Sequence, residues 1–324
     1  MRYRFERQSL VRGLAMWGPR LGLAAALLAT CGILALLRPH FLSLANLTNV
    51  VRQVSINGLL AVGVTWVLLT GGVDLSLGSV VALSGVVAAH LAHPGAYPLW
   101  VPVAAGIAAG AACGGINGLF VARCGVPPFI ATLGMMTAVR GLALVLSGGR
   151  PVSNMSPALT RLAGDWFHVP VPALILGGVA LAAGWTLRNT WPGRYLFAVG
   201  GNEQAARAAG IPVRGIKGLA YTVCGALAGL AGVVLAARIT TGQPNAGAGY
   251  ELDAIAAVVI GGTSLSGGVG SVGGTLLGVL LMGVIGNGLD LLNVSSYYQQ
   301  IVKGAIIVGA VWFDRRQRRN VRLV

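Results

Sequence analysis

Charge is scarce in this chain. Asp, Glu, Lys and Arg make up 10% of its 324 residues, and its only two lysines are Lys217 and Lys303. Soluble domains carry roughly 25% charged residues, so a free-standing globular protein is excluded. Residues 75–122 and 254–289 hold no charged side chain at all. At roughly 20 apolar residues per crossing, each stretch is long enough for more than one transmembrane span. Neither lysine is followed by Ser or Thr, so the Gly-Lys-Ser/Thr ending of a nucleotide-hydrolysing P-loop is missing. The four cysteines, Cys31, Cys113, Cys124 and Cys224, lie in or at the ends of apolar runs without paired spacing. That excludes a disulfide frame and a zinc site. His40, His90, His93 and His168 have no Cys or acid to complete a ligand set, so no metal is expected. No nucleophile–base pair stands out, and the chain reads as a non-enzyme with no catalytic residues.

What is abundant is apolar residues, at 55%, with 50 glycines and a mean hydropathy of +0.77. Gly106, Gly110, Gly114 and Gly118 recur every four residues, as do Gly270, Gly274 and Gly278. Such ladders let helix backbones approach closely in a membrane. The net charge of +15 could mean nucleic acid. However, the topology below places 16 of the 23 basic residues on one side, which points to a lipid bilayer under the positive-inside rule and to no nucleic acid.

The apolar pattern predicts an all-α membrane protein of about ten transmembrane helices, near 21–37, 53–70, 75–92, 97–122, 126–147, 169–187, 217–236, 252–261, 272–289 and 297–313. The eighth is too short to cross as a straight helix, and a broken or re-entrant helix is expected there. The predicted organisation is a cytoplasmic N-terminal tail (1–20), a permease domain (21–313) with a cytoplasmic loop (188–216), and a cytoplasmic C-terminal tail (314–324). The basic N-terminus is read as preceding an uncleaved first span. Ile116-Asn117-Gly118-Leu119 closes the fourth span and Gly286-Asn287-Gly288-Leu289 the ninth. Each is followed by a span with a basic residue, Arg140 and Lys303. Either chance likeness among glycine-rich helices or an inverted-topology repeat accounts for this.

Three segments could carry function. In Thr70-Gly71-Gly72-Val73-Asp74-Leu75-Ser76, two glycines and an acid interrupt an apolar stretch. Asp74 and Ser76 then line a translocation pathway with Asn117, Arg140 and Asn287, or Asp74 merely caps the third span. In Gly200–Pro212, Asn202 suits a helix N-cap, Glu203 and Arg207 form an i,i+4 pair, and Gly210 and Pro212 stop the helix. By itself this is a solvated connector or a helix that slots into a partner's groove. In Tyr250–Gly270, Glu251 and Asp253 are placed at the outer mouth, before a short apolar helix and a glycine-rich loop. Arg140 and Lys303 either bind solute or an acid inside the bundle, or snorkel to an interface.

Taken in order, Gly71–Gly78, Gly193–Ile211, Gly249–Thr275, Asn287–Val294 and Gln300–Gly304 make the chain resemble the permease subunits of bacterial ribose, xylose and arabinose importers of the ATP-binding-cassette class, over about residues 40–313. The resemblance implies an ATP-driven importer of a sugar-like solute in the bacterial inner membrane. It implies a second permease subunit, a cytoplasmic ATPase that holds the ATP and Mg, and a periplasmic solute-binding protein, with no cofactor in this chain. Gly201, Asn202, Glu203, Ala205, Ala206, Arg207, Gly210 and Ile211 would dock on the ATPase, and Glu251 and Asp253 would lie where the binding protein docks. The rival is a self-sufficient secondary transporter or channel, which would need ion-coupling carboxylates in mid-span; the spans offer almost none beyond Asp74 and Asp290.

Overall fold

The computed structural model describes residues 21–321. The basic N-terminal segment 1–20 and residues 322–324 lie outside them. Thirteen helices follow one another among the described residues. They are α1 (Leu21–Leu37), α2 (Leu44–Leu69), α3 (Leu77–Leu91), α4 (Trp100–Ala122), α5 (Pro128–Ser147), α6 (Pro157–Thr160), α7 (Val171–Asn189), α8 (Trp191–Gly201), α9 (Glu203–Ala208), α10 (Val213–Ile239), α11 (Tyr250–Ile260), α12 (Val272–Leu291) and α13 (Ser296–Val321). A two-residue antiparallel hairpin, β1 (Asp165–Trp166) with β2 (Val169–Pro170), interrupts the run.

Each of the ten predicted segments is a helix, with shifted ends. Six helices, α2, α4, α5, α7, α10 and α12, are long and apolar enough to cross a membrane by themselves. The others fall short for different reasons. α1 and α3 are short, α11 has 11 residues, and α13 ends in a charged run that continues as helix through Val321, past the predicted span end at 313.

The core is built on α2 and α10. From Val54 to Leu69 almost every side chain of α2 is buried, as expected of a helix that is apolar all round and enclosed by others. α10 packs against α2, α3 and α4. The closest approach is to α4, and the glycine ladder makes it possible. A Cβ at Gly110 would overlap the Gly225 carbonyl, one at Gly114 the Tyr221 carbonyl, and one at Gly118 would stand 2.9 Å from Gly218 Cα. In the second predicted ladder, Gly274 and Gly278 meet Gly261 and Ala257 of the α11 end, while Gly270 lies before α12. Exposed Leu142, Val145, Leu181 and Trp185 give α5 and α7 the outer faces that lipid-facing helices need.

The two ends of the bundle are distinct. At one, Arg52 pairs with Asp165 of the hairpin, Arg238 donates to Asn49, and the His90 ring meets the Leu146 carbonyl. At the other, α8 and α9 sit beside the end of α2, where the Gly268 N–H donates to the Leu69 carbonyl at 3.0 Å. These are called the hairpin end and the α9 end.

Candidate translocation and coupling sites

Two stretches of unwound backbone enter the bundle from opposite ends. Thr70–Ser76 leaves α2 at the α9 end, and residues 240–249 leave α10 at the hairpin end. They meet at Gly78, where a Cβ would overlap the Gly247 carbonyl and the Glu251 carboxylate. Gly78 is 13 residues from the last residue of α3, or ~20 Å at 1.5 Å per residue. Against a hydrocarbon core of roughly 30 Å, the meeting point is well inside the bundle. At ~22 Å and ~16 Å, α3 and α11 are therefore half-helices that each start at this level. The expected third span, 75–92, is α3, which starts at Leu77 with Asp74 buried just before it.

Asp74 lies on the first strand of this crossing and is 1% exposed. Its Oδ1 accepts from the Ser76 N–H at 2.9 Å and the Ser76 hydroxyl at 2.6 Å. Asn117 Nδ2, from α4, donates to Ser76 Oγ at 3.0 Å. Tyr221, from α10, donates to the Val73 carbonyl at 3.2 Å. Asp74 is not the cap of α3: Ser76 holds that position, and its side chain makes no capping bond. Asp74 Oδ2 and Asn117 Oδ1 are buried acceptors without a hydrogen-bond partner, and no basic side chain pairs with Asp74 among the described residues.

Arg140 holds the second strand. Its Nη1 donates to the carbonyls of Pro244 at 2.6 Å and Ala246 at 2.9 Å. It forms no ion pair among the described residues. A guanidinium in an apolar span satisfies its donors on exposed backbone carbonyls, which the unwound strand supplies. Glu251 Oε1 accepts from the Gly249 N–H at 3.3 Å, and Lys303 of α13 donates to Asp253 at 2.6 Å. The two acids expected at the outer mouth are thus turned into the bundle. The reason is the descent of residues 240–249, which carries the start of α11 below the hairpin end.

Asn287 stands apart from this group. It exchanges two hydrogen bonds with Asn46 of α2, at 2.8 and 2.9 Å. The structure brings Asp74, Ser76 and Asn117 together, sets Arg140 of α5 against the facing strand, and leaves Asn287 in a separate helix contact.

At the α9 end, the predicted capped helix is present. Asn202 Oδ1 accepts from the Ala205 N–H at 3.0 Å, and Gly210 ends the turn with φ +79. Glu203 pairs with Arg207 at 3.0 Å and with Lys217 of α10 at 2.6 Å. The Lys217 hydrogen bond, followed by Arg207, holds the Glu203 carboxyl below the usual range. Ala206 is buried, Ile211 is half-buried, and Gly201, Asn202, Ala205, Arg207 and Gly210 are exposed. Gly200 packs on the Leu69 carbonyl so closely that a Cβ would overlap it. A short chain of contacts thus runs from α9 to the start of the unwound strand at Thr70. In the sequence Lys217 served only to exclude a P-loop and Tyr221 falls within no motif; folding α10 across the loop and α4 recruits both.

The family model described as branched-chain amino acid transport system / permease component matches residues 46–311. The ribose import permease protein RbsC of Escherichia coli (strain K12) is 49% identical, covering 90% of this chain and 92% of its own length. RbsC of Bacillus subtilis (strain 168) is 46% identical over 93% and 92%. The L-arabinose transport system permease protein AraH of Escherichia coli (strain K12) is 38% identical over 93% and 90%. No solved structure matches the chain. With a half-helix crossing inside an apolar bundle, a capped helix at one end, and a profile spanning nearly all of it, this multi-pass membrane chain belongs to the permease-component family of transport systems.

Proposed function

We propose that the chain is the membrane-spanning subunit of an ATP-driven, binding-protein-dependent importer for a pentose-like sugar. The observation that carries this is 49% identity, over nine-tenths of the chain, with a ribose import permease. Two permease subunits form the pathway, a cytoplasmic ATPase holds ATP and Mg, and a solute-binding protein delivers the sugar. This chain performs the transport step and leaves hydrolysis to its partner.

On this reading the α9 end is cytoplasmic and the chain passes ten times, with α1 and α13 completing the set and α3 and α11 entering as half-helices. α3 and α11 then belong to an inverted-topology repeat, a device that puts helix starts and unwound backbone near mid-membrane. Val73-Asp74-Leu75-Ser76 precedes α3 and Tyr250-Glu251-Leu252-Asp253 opens α11, each with an acid two residues before a second polar residue. Asp74, Ser76, Asn117 and Arg140 shape the pathway, whereas Asn287 locks α12 to α2. The binding protein docks on the hairpin loop 148–168, whose Trp166 and Phe167 are exposed.

The exposed face of α9 receives the ATPase. Closure of the ATPases moves α9, and the Gly200–Leu69–Gly268 contacts pass the movement to Thr70–Ser76. Removing one turn of α9 tests this. The expected variant still inserts and co-purifies with the second subunit, but its ATP hydrolysis no longer responds to loaded binding protein. Unchanged coupling would rule out the docking role.

A further inference from the structure

The α9 end carries a feature that neither translocation nor coupling uses. A groove of ≈ 960 Å³ lies between the lower halves of α4 and α10. Its walls are apolar or small, with Ile116, Leu119, Gly215 and Gly218 among them. Two arginines close it at the α9 end: Arg123, just after α4, and Arg214, in the first turn of α10. Both are exposed, and neither forms an ion pair among the described residues. The same two arginines line a second recess of ≈ 340 Å³ with Arg207, Lys217 and Glu203. Glu203 is already shared between Lys217 and Arg207, which leaves Arg123 and Arg214 without a counter-charge there. The first turn of α10 adds to the field, since it holds no acid and its N-cap, Pro212, offers no side-chain cap.

We propose that this groove binds an anionic phospholipid, with its phosphate between Arg123 and Arg214 and an acyl chain laid along the α4–α10 groove. Two guanidiniums without counter-ions at the rim of an apolar channel call for an anion joined to an apolar body. A basic recess between helices at a membrane surface has that complementarity to an anionic headgroup. A soluble anion would leave the apolar channel unfilled, and an apolar protein segment would leave both arginines unneutralised.

The test uses the full-length chain, delipidated in detergent and observed by native mass spectrometry with added phosphatidylglycerol or phosphatidylcholine of the same acyl composition. Wild type is expected to retain phosphatidylglycerol in preference. R123Q/R214Q should lose that preference by about 30-fold, as two headgroup contacts imply. G218L fills the groove from a position where an added Cβ meets nothing within 4 Å. It should weaken lipid retention with both arginines intact, and glycerol phosphate should not compete. Matching thermal unfolding of R123Q/R214Q and wild type controls for the fold. Undiminished preference in R123Q/R214Q would overturn the proposal. So would displacement by glycerol phosphate at equal concentration, which would mark a soluble-phosphate site. Unchanged lipid retention together with loss of the ATPase on co-purification would assign the arginines to a protein contact instead.

Discussion

Among the described residues the buried Asp74 carboxylate has no basic partner, and its Oδ2 faces the same shortage of donors as Asn117 Oδ1. An amide at position 74 still accepts from Ser76 through its oxygen, removes the orphaned Oδ2 by putting an NH2 in its place, and brings donors to the side of Asn117 Oδ1. Asp74→Asn is therefore expected to unfold at the wild-type temperature or above it. Asp74→Ala strands the Ser76 and Asn117 groups and should cost ~1–3 kcal/mol. Thermal unfolding in detergent separates the two; equal destabilisation would mean that the negative charge itself is needed. Glu203 behaves differently because it is paired and partly exposed. Its carboxyl titrates below the ordinary value of 4.5, so its contribution is complete above that pH and fades as pH falls through the depressed value. Solvent screening limits such a pair to about 0.5 kcal/mol. Hydrogen exchange should therefore be about twofold faster in α9 of Glu203→Gln than in wild type at pH 7. The difference should vanish in strong acid, and a difference that persisted there would point to a packing effect.

Among the elements, α4 against α10 is the contact least tolerant of change, because backbone meets backbone along the glycine ladder. Gly114→Leu must push the helices apart and should prevent a stable fold or lower stability by ~3 kcal/mol or more. Gly134→Ala on α5, where an added Cβ meets nothing within 4 Å, should leave thermal unfolding unchanged. A stable Gly114→Leu would contradict the packing. This ladder was legible in the sequence because the four-residue period is a local property of one helix. The capped helix α9 was legible for the same reason: Asn202, Glu203, Arg207, Gly210 and Pro212 each act within a turn or two of themselves. The half-helices were only partly legible. Gly71-Gly72 marks a break, yet nothing in an apolar run tells how far into the bundle the chain has travelled before the helix resumes. That depth is set by Gly78 meeting Gly247, a contact 169 residues apart in the chain. The contacts of Glu251 with Gly78 and of Asp253 with Lys303 were not legible for this reason, and the Arg140 contacts to Pro244 and Ala246 were invisible because their acceptors are backbone carbonyls.

For the whole molecule, the arrangement is a packed frame of α2, α4 and α10 around two unwound strands that approach from opposite ends, with a small helix at one end tied to one of them. Such a frame has a place for alternating access but lacks a row of mid-span carboxylates for ion coupling. On the proposed reading the driving force enters from outside, through α9. The most direct measurement is solute accumulation in proteoliposomes, with labelled ribose as the probe. Vesicles holding this chain with its ATPase and binding protein are predicted to concentrate ribose only when ATP is present on the α9 side. Accumulation against a gradient by this chain alone, with no nucleotide-binding partner, would contradict the account.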